Sequence, residues 1–306
     1  MPPKIIIDNI SKSYGDITAL KGISLDINAN EIFGFIGPDG AGKTTLFRIL
    51  TSLLLADTGK AIIAGLNVVD DYKVLRTKLG YMPGRFSLYQ DLSVEENLNF
   101  FAGIFNTTIK ENYHLIKDIY AQIEPFKKRK AGDLSGGMKQ KLALSCALIH
   151  KPDVLILDEP TTGVDAVSRI EFWEMLYNLK RQGITIIVST PYMDEAARCD
   201  RIALLQKGEV MTINRPDQVV DSFSKKLYGI KARDMYDLVK LLRNYHECES
   251  AYLFGEWIHF STSYEIVKAD LEKYLKENNM IDVQIEKIKP NIEDSFMELM
   301  NRKEEQ

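Results

Sequence analysis

The rhythm of hydrophobic and polar positions changes along the chain, and the changes divide it. From residue 1 to about residue 220, short apolar runs alternate with amphipathic helical stretches, the mark of an α/β layer fold. Ile32-Phe33-Gly34-Phe35-Ile36, Val154-Leu155-Ile156-Leu157 and Ile184-Thr185-Ile186-Ile187-Val188 are almost unbroken apolar runs. Such runs predict parallel strands covered on both faces. Leu46-Phe47-Arg48-Ile49-Leu50 predicts a helix shortly after the first of them, and Lys139 to His150 predicts another. Between about Leu88 and Lys130 the pattern turns mainly helical, opening with Val94-Glu95-Glu96-Asn97-Leu98-Asn99-Phe100-Phe101. The basic run Lys127-Lys128-Arg129-Lys130 ends it and reads as a solvated loop, with a phosphate or lipid contact as the lesser alternative.

After about Asp221 the rhythm shifts again. Leu227 to Ile230 reads as a strand, and Met235 to Tyr245 as a helix with Leu238, Leu241 and Leu242 on one face. Ala251 to Phe254 and Trp257 to Phe260 flank Gly255-Glu256 as a hairpin. Glu265 to Glu277 reads as a helix, Asp282 to Ile288 as a last strand, and a short helix begins at Pro290. The order βαββαβ predicts a small α+β, ferredoxin-like domain over residues 221–306, behind a larger domain over residues 1–220 whose helical subdomain covers about 88–150. No catalytic constellation stands out in the smaller domain, where His246 and His259 read as ordinary surface or partly buried residues.

Composition narrows the setting. The 306 residues are 45% hydrophobic and 27% charged, with a net charge of −4, so the bulk balance gives no sign of a nucleic-acid binder. No apolar run approaches the roughly 18 residues of a membrane span, and the opening Met-Pro-Pro-Lys lacks the apolar core of a signal peptide. Cys146, Cys199 and Cys248 have no metal-type spacing and read as reduced thiols in a cytosolic protein.

The chemistry sits in three motifs. Gly37-Pro38-Asp39-Gly40-Ala41-Gly42-Lys43-Thr44-Thr45 has the P-loop spacing, between a strand and a helix as that motif requires. Its glycines free successive backbone N–H groups to cradle phosphates, Lys43 can reach the outer phosphates, and the Thr44 hydroxyl can hold Mg²⁺. Val154 to Leu157 runs into Asp158-Glu159-Pro160, so Asp158 can sit beside Mg²⁺ and Glu159 can orient and deprotonate a water aimed at a γ-phosphate. Leu134-Ser135-Gly136-Gly137-Met138-Lys139-Gln140 places a second backbone anion cradle before a helix. Two phosphate cradles in one chain make sense when two copies face each other and each closes over the other's nucleotide.

From residue 4 to about 220 these ordered motifs resemble the ATP-binding subunits of ABC transporters. The resemblance implies a P-loop NTPase fold with a helical subdomain, ATP and Mg²⁺ as ligands, and ATP hydrolysis. It implies that Tyr14 stacks on adenine, that Gly37 to Thr45 is the Walker A loop, and that Asp158 and Glu159 are the Walker B pair. It implies that Ser135, Gly136 and Gly137 are offered to a partner's nucleotide and that Asp165, in Thr162-Gly163-Val164-Asp165, contacts that partner. The tail Lys289 to Phe296 is similar to those of drug and polysaccharide exporter subunits.

Two positions depart from the family pattern. Gly84, in Gly80-Tyr81-Met82-Pro83-Gly84-Arg85-Phe86, stands where a glutamine is expected, and Gln90 comes too late to substitute. Pro191 stands where a histidine is expected, and proline offers neither a side-chain donor nor an N–H. Asp39, where asparagine is common, is a milder change. The reading is therefore an exporter ATPase with a weakened site of its own, peripheral at the inner face of the cell membrane. It would be paired with a permease and a second ATPase subunit, a heterodimer being favoured over a homodimer. The alternatives are a soluble ABC ATPase acting on ribosomes or DNA, and a non-hydrolysing nucleotide-binding regulator.

Overall fold

The computed structural model describes residues 3 to 304. The opening Met-Pro and the last two residues of the domain ranges read from the sequence lie outside the described residues. The chain divides into two compact units between Pro216 and Asp217.

The larger unit holds two sheets. The first has six strands, in the order Glu209–Asn214, Arg201–Gln206, Ile32–Ile36, Thr185–Thr190, Val154–Asp158 and Leu79–Met82. All its pairings are parallel except that of the edge strand Glu209–Asn214. The continuous apolar runs lie at its centre, and every residue of Ile32–Ile36, Val154–Asp158 and Thr185–Thr190 is buried. This is what runs apolar on both faces dictate. The second sheet is antiparallel and was not foreseen in the alternating pattern: Ile17–Ile27, Ile5–Tyr14, Thr58–Ile63 and the short Leu66–Asn67. One hydrophobic core joins the two sheets and the helix Lys43–Leu50. Phe33, Phe35 and Phe47 lie at its centre with Ile5, Leu20 and Ile23.

The helical stretch contains Val94–Ile104, Ile109–Tyr120 and Gly136–Leu148. Ser93 with Glu96, and Thr108 with Glu111, form reciprocal capping boxes that start the first two helices. The basic run packs back on the first helix through Val94 N–H to Arg129 O (3.0 Å) and Lys127 Nζ to Glu95 Oε1 (3.3 Å). Among the described residues no helix is long and apolar enough to cross a membrane.

The smaller unit has a four-stranded antiparallel sheet in the order Ser250–Phe254, Trp257–Thr262, Lys226–Lys231, Gln284–Lys287. Helices Met235–Arg243 and Lys268–Glu277 share one core with it, built on Ile230, Leu238, Leu242, Ile258, Phe260 and Leu271. A final helix, Ile292–Glu304, is joined to the sheet by polar contacts: Asp294 Oδ1 to His259 Nδ1 at 2.7 Å and Asn301 Oδ1 to Tyr252 Oη at 3.3 Å. His259 is thus the partner of a buried carboxylate, while His246 is exposed beside Glu247.

Candidate nucleotide-binding site

The P-loop is shaped by close backbone approaches. A Cβ on Gly37 would lie 2.2 Å from Leu205 O. Gly42 has φ +102°, and a Cβ there would lie 2.5 Å from Ala19 O. Both positions exclude any other residue, on steric grounds at the first and on steric and conformational grounds at the second. Ala41 N–H donates to Pro38 O at 3.2 Å, closing the turn ahead of the helix Lys43–Leu50. Lys43 lies almost wholly inside the loop. Its Nζ donates to Gly37 O (2.8 Å) and Pro38 O (3.1 Å) and stands 3.4 Å from Glu159 Oε1.

The two acids end the strand Val154–Asp158. Asp158 is buried and accepts a hydrogen bond from Ser189 Oγ at 2.5 Å, from the neighbouring parallel strand. Glu159 follows in the left-handed region, with φ +49°. Its N–H donates to Ser189 O (3.1 Å) and Ser189 Oγ (3.0 Å), which hold a conformation that non-glycine residues rarely adopt. One serine therefore fixes both acids.

These residues line two cavities that share Thr44 and Glu159. One, of about 620 Å³, holds the loop from Asp39 to Thr45 together with Tyr14, whose ring is nearly half exposed. The other, of about 650 Å³, holds Asp158, Tyr81, Gly84 and the guanidinium-bearing Arg48 and Arg85. Burial and the Asp158 charge push the Tyr81 hydroxyl up to about 12, so it stays neutral. Of the expected site residues, Tyr14, Asp39, Gly40, Ala41, Gly42, Lys43, Thr44, Thr45, Asp158 and Glu159 all line one cavity or both.

Ser135, Gly136, Gly137 and Asp165 line neither. Gly136 and Gly137 pack instead against Gly163 and Ser168, on either side of Asp165 in sequence. The helix begins at Gly136, not at Lys139 as the pattern suggested, because Ser135 Oγ accepts from Met138 N–H (3.4 Å) and carries two glycines into the first turn. A Cβ on Gly137 would lie 2.8 Å from Ser168 Oγ, and one on Gly136 would lie 3.1 Å from Gly163 O. Asp165 caps the helix Ala166–Arg181 through Ser168 N–H (3.0 Å), and that bond holds its carboxyl below the usual range.

The two departures differ in place. Gly84 sits in the cavity wall, where a Cβ would come 3.1 Å from Asp158 O. Pro191 follows the strand end at Thr190 and lines neither cavity, as does Gln90, whose carbonyl accepts from Gly132 N–H. Residues that the motifs did not single out complete the walls: Ile17, Thr18, Lys21 and Lys207 beside Tyr14, and Arg48 and Arg85 beside the acids. Only the helical i, i+4 spacing of Thr44 and Arg48 gave a sequence signal for any of these.

A third cavity, of about 510 Å³, is a largely apolar groove between the sheet edge and the helical stretch, walled by Leu53, Met82, Leu88, Phe101, Phe105 and His150. The His150 ring stacks on Phe105 at 3.8 Å, and its Nε2 lies 2.9 Å from Leu79 O.

Comparison with known proteins gives this geometry a family. The ABC transporter family model matches residues 20–162. The chain is 34% identical over 303 residues to the probable multidrug ABC transporter ATP-binding protein YbhF of Escherichia coli (strain K12), which covers 97% of this chain. It spans about half the length of that relative, 52%. It is 33% identical over 309 residues to the Nod factor export ATP-binding protein I of Rhizobium meliloti (strain 1021), covering 98% of this chain and 89% of the relative. Among solved structures, a dimeric ATP-binding cassette in a post-hydrolysis state with ADP and Pi matches 69% of this chain and 98% of its own, at 27% identity and a TM-score of 0.62. The cradle around Lys43, the acids beside it and this shared sequence have one explanation: the chain belongs to the ATP-binding subunits of the ABC transporter family.

Proposed function

We propose that this chain binds and hydrolyses ATP to energise a membrane exporter of the ABC type. One observation carries the proposal: Lys43, Thr44, Asp158 and Glu159 converge on adjoining cavities that a triphosphate and its metal would fill. The names of the relatives, a multidrug transporter ATP-binding protein and a Nod factor export protein, support export over import. In this reading Tyr14 meets the adenine, residues 37–45 wrap the phosphates, and Glu159 takes a proton from the attacking water.

Mg²⁺ fits the donors present. The Thr44 hydroxyl and the Asp158 carboxylate line the same cavity, and Ser189 occupies one Asp158 oxygen while leaving the other. The ion would neutralise phosphate charge there.

Ser135, Gly136, Gly137 and Asp165 would act on the nucleotide of a second ATPase subunit, because in the single chain they stand apart from its own cradle. Gly84 and Pro191 remove two donors from this chain's site, which would make it slow. That asymmetry favours a heterodimer with a more regular partner over a homodimer. The groove along the helical stretch would receive a permease segment at the inner face of the membrane. The strand order of the smaller unit, with its βαββαβ sequence of elements, supports a ferredoxin-like accessory domain, with a regulatory or dimer-contact role.

Co-purification of the tagged chain from membranes, with ATP turnover measured on the isolated complex, tests the reading. A permease and a second ATPase chain should co-purify. Recovery only with ribosomes, or an ATP-independent complex, would refute the exporter reading.

A further inference from the structure

The cavity that holds Asp158 and Glu159 also holds two guanidinium groups, those of Arg48 and Arg85. Among the described residues neither has a hydrogen-bond or ion-pair partner for its side chain, although two carboxylates line the same cavity. Several other arginines of this unit are engaged: Arg76 with Ser52, Arg169 with Asp194 and Glu195, Arg201 with Glu31. Arg48 lies one helical turn beyond Thr44, so both present to the same helix face. Arg85 adjoins Gly84, which packs against the Asp158 backbone so closely that a Cβ would lie 3.1 Å from Asp158 O, and so it is carried in the same wall as that acid. Both arginines are exposed, which keeps their charge available at little desolvation cost.

We infer that Arg48 and Arg85 form a dibasic clamp for the terminal phosphate of a nucleoside triphosphate seated on Lys43 and Thr44. The inference rests on the nucleotide-binding reading above and goes further, because it assigns triphosphate selectivity to residues outside the motifs. Guanidinium groups donate in a planar fork that matches phosphate oxygens, and charge-assisted bonds of this kind are about twice as strong as neutral ones. The cavity's two carboxylates repel a phosphate, and two cations offset them. Tyr81, held neutral, adds no further negative charge to the wall. A diphosphate has no group at that end of the cavity, so the clamp acts on ATP and leaves ADP unaffected. It takes over the holding role of the donors missing at Gly84 and Pro191, and it favours retention of ATP over cleavage.

Calorimetric titration of the full chain with AMP-PNP and with ADP, both with Mg²⁺, tests this. Arg85→Ala and Arg48→Ala each weaken AMP-PNP binding by about tenfold to a hundredfold and leave ADP binding within twofold. Arg85→Lys recovers part of the loss. Circular dichroism should show both variants folded, as expected of exposed positions. An AMP-PNP to ADP ratio unchanged in both alanine variants overturns the clamp while leaving the nucleotide site intact. A wild-type chain that binds neither nucleotide, with Lys43→Ala no different from it, overturns the underlying site and the clamp together.

Discussion

Lys43 Nζ and Glu159 Oε1 stand 3.4 Å apart, the lysine side chain 3% exposed and the glutamate 23%. The residue expected to hold phosphates and the residue expected to activate water are thus ion-paired across the cleft. A bound triphosphate must compete with Glu159, and with the Gly37 and Pro38 carbonyls, for the same ammonium group. Glu159→Gln removes the competing charge and the base while keeping the shape. Phosphate release is expected to fall by about 10²–10⁴, while AMP-PNP affinity holds or rises. Turnover equal to wild type in this variant would falsify the role of Glu159.

The weakening proposed for Pro191 and Gly84 should respond unequally when donors are put back. Losing one donor to a developing phosphate charge typically costs about 10²–10³ in rate. Pro191→His introduces a donor just past the end of the strand Thr185–Thr190, at a half-buried position outside both cavity walls. Gly84→Gln must place its Cβ 3.1 Å from Asp158 O, which requires the wall to give. Pro191→His is therefore expected to raise turnover by at least about tenfold, and Gly84→Gln by less. Steady-state phosphate release from each variant measures the order; a fall in rate with Pro191→His would count against a weakened site.

The order of the motifs was legible in the sequence because each motif is local. Gly37 to Thr45, Asp158-Glu159 and Ser135 to Gly137 each carry their chemistry within a few residues, and the apolar runs placed the central strands. The cleft wall opposite the P-loop was not legible. Ile17, Thr18 and Lys21 come from an antiparallel strand, and Lys207 from a turn nearly the whole unit away in sequence, so only the tertiary fold joins them. The left-handed backbone of Glu159 was equally hidden, since nothing in Asp-Glu-Pro announces that Ser189 will hold it. The start of the helix at Gly136 was missed for a propensity reason: two glycines argue against helix, and a single serine cap outweighs them.

Gly137 offers a test of the division of labour. Its Cα faces Ser168, and an added methyl would sit 2.8 Å from that hydroxyl oxygen and 3.0 Å from Ser168 Cβ. Gly137→Ala must therefore displace the helix start or the helix Ala166–Arg181 behind Asp165. Turnover of the assembled transporter is expected to fall at least tenfold, while the isolated chain's AMP-PNP affinity stays within twofold, because none of these residues lines its own cradle. Ser168→Gly should restore much of the rate by opening the space. Loss of AMP-PNP affinity in the isolated Gly137→Ala chain would show that Ser135 to Gly137 serve the chain's own site.

His150 gives the groove a pH dependence. Burial lowers its pKa below the ordinary value of 6.5, and the hydrogen bond to Leu79 O only partly opposes this. Among the described residues its Nδ1 has no partner, as suits a neutral ring with Nε2–H donating to the carbonyl. The folded chain therefore binds fewer protons at this site than the unfolded chain below about pH 6.5. Stability rises with pH through that window, is fully present above about pH 6.5, and is lost as the pH falls toward the folded pKa. His150→Gln removes the titrating ring and also the stacking on Phe105. Its Tm is expected to be lower than wild type at pH 7.5, yet to drop less between pH 7.5 and pH 5.5. Thermal melts of both proteins at the two pH values decide it: an equal drop in both would mean that His150 takes up its proton without cost and that the groove wall tolerates the charge.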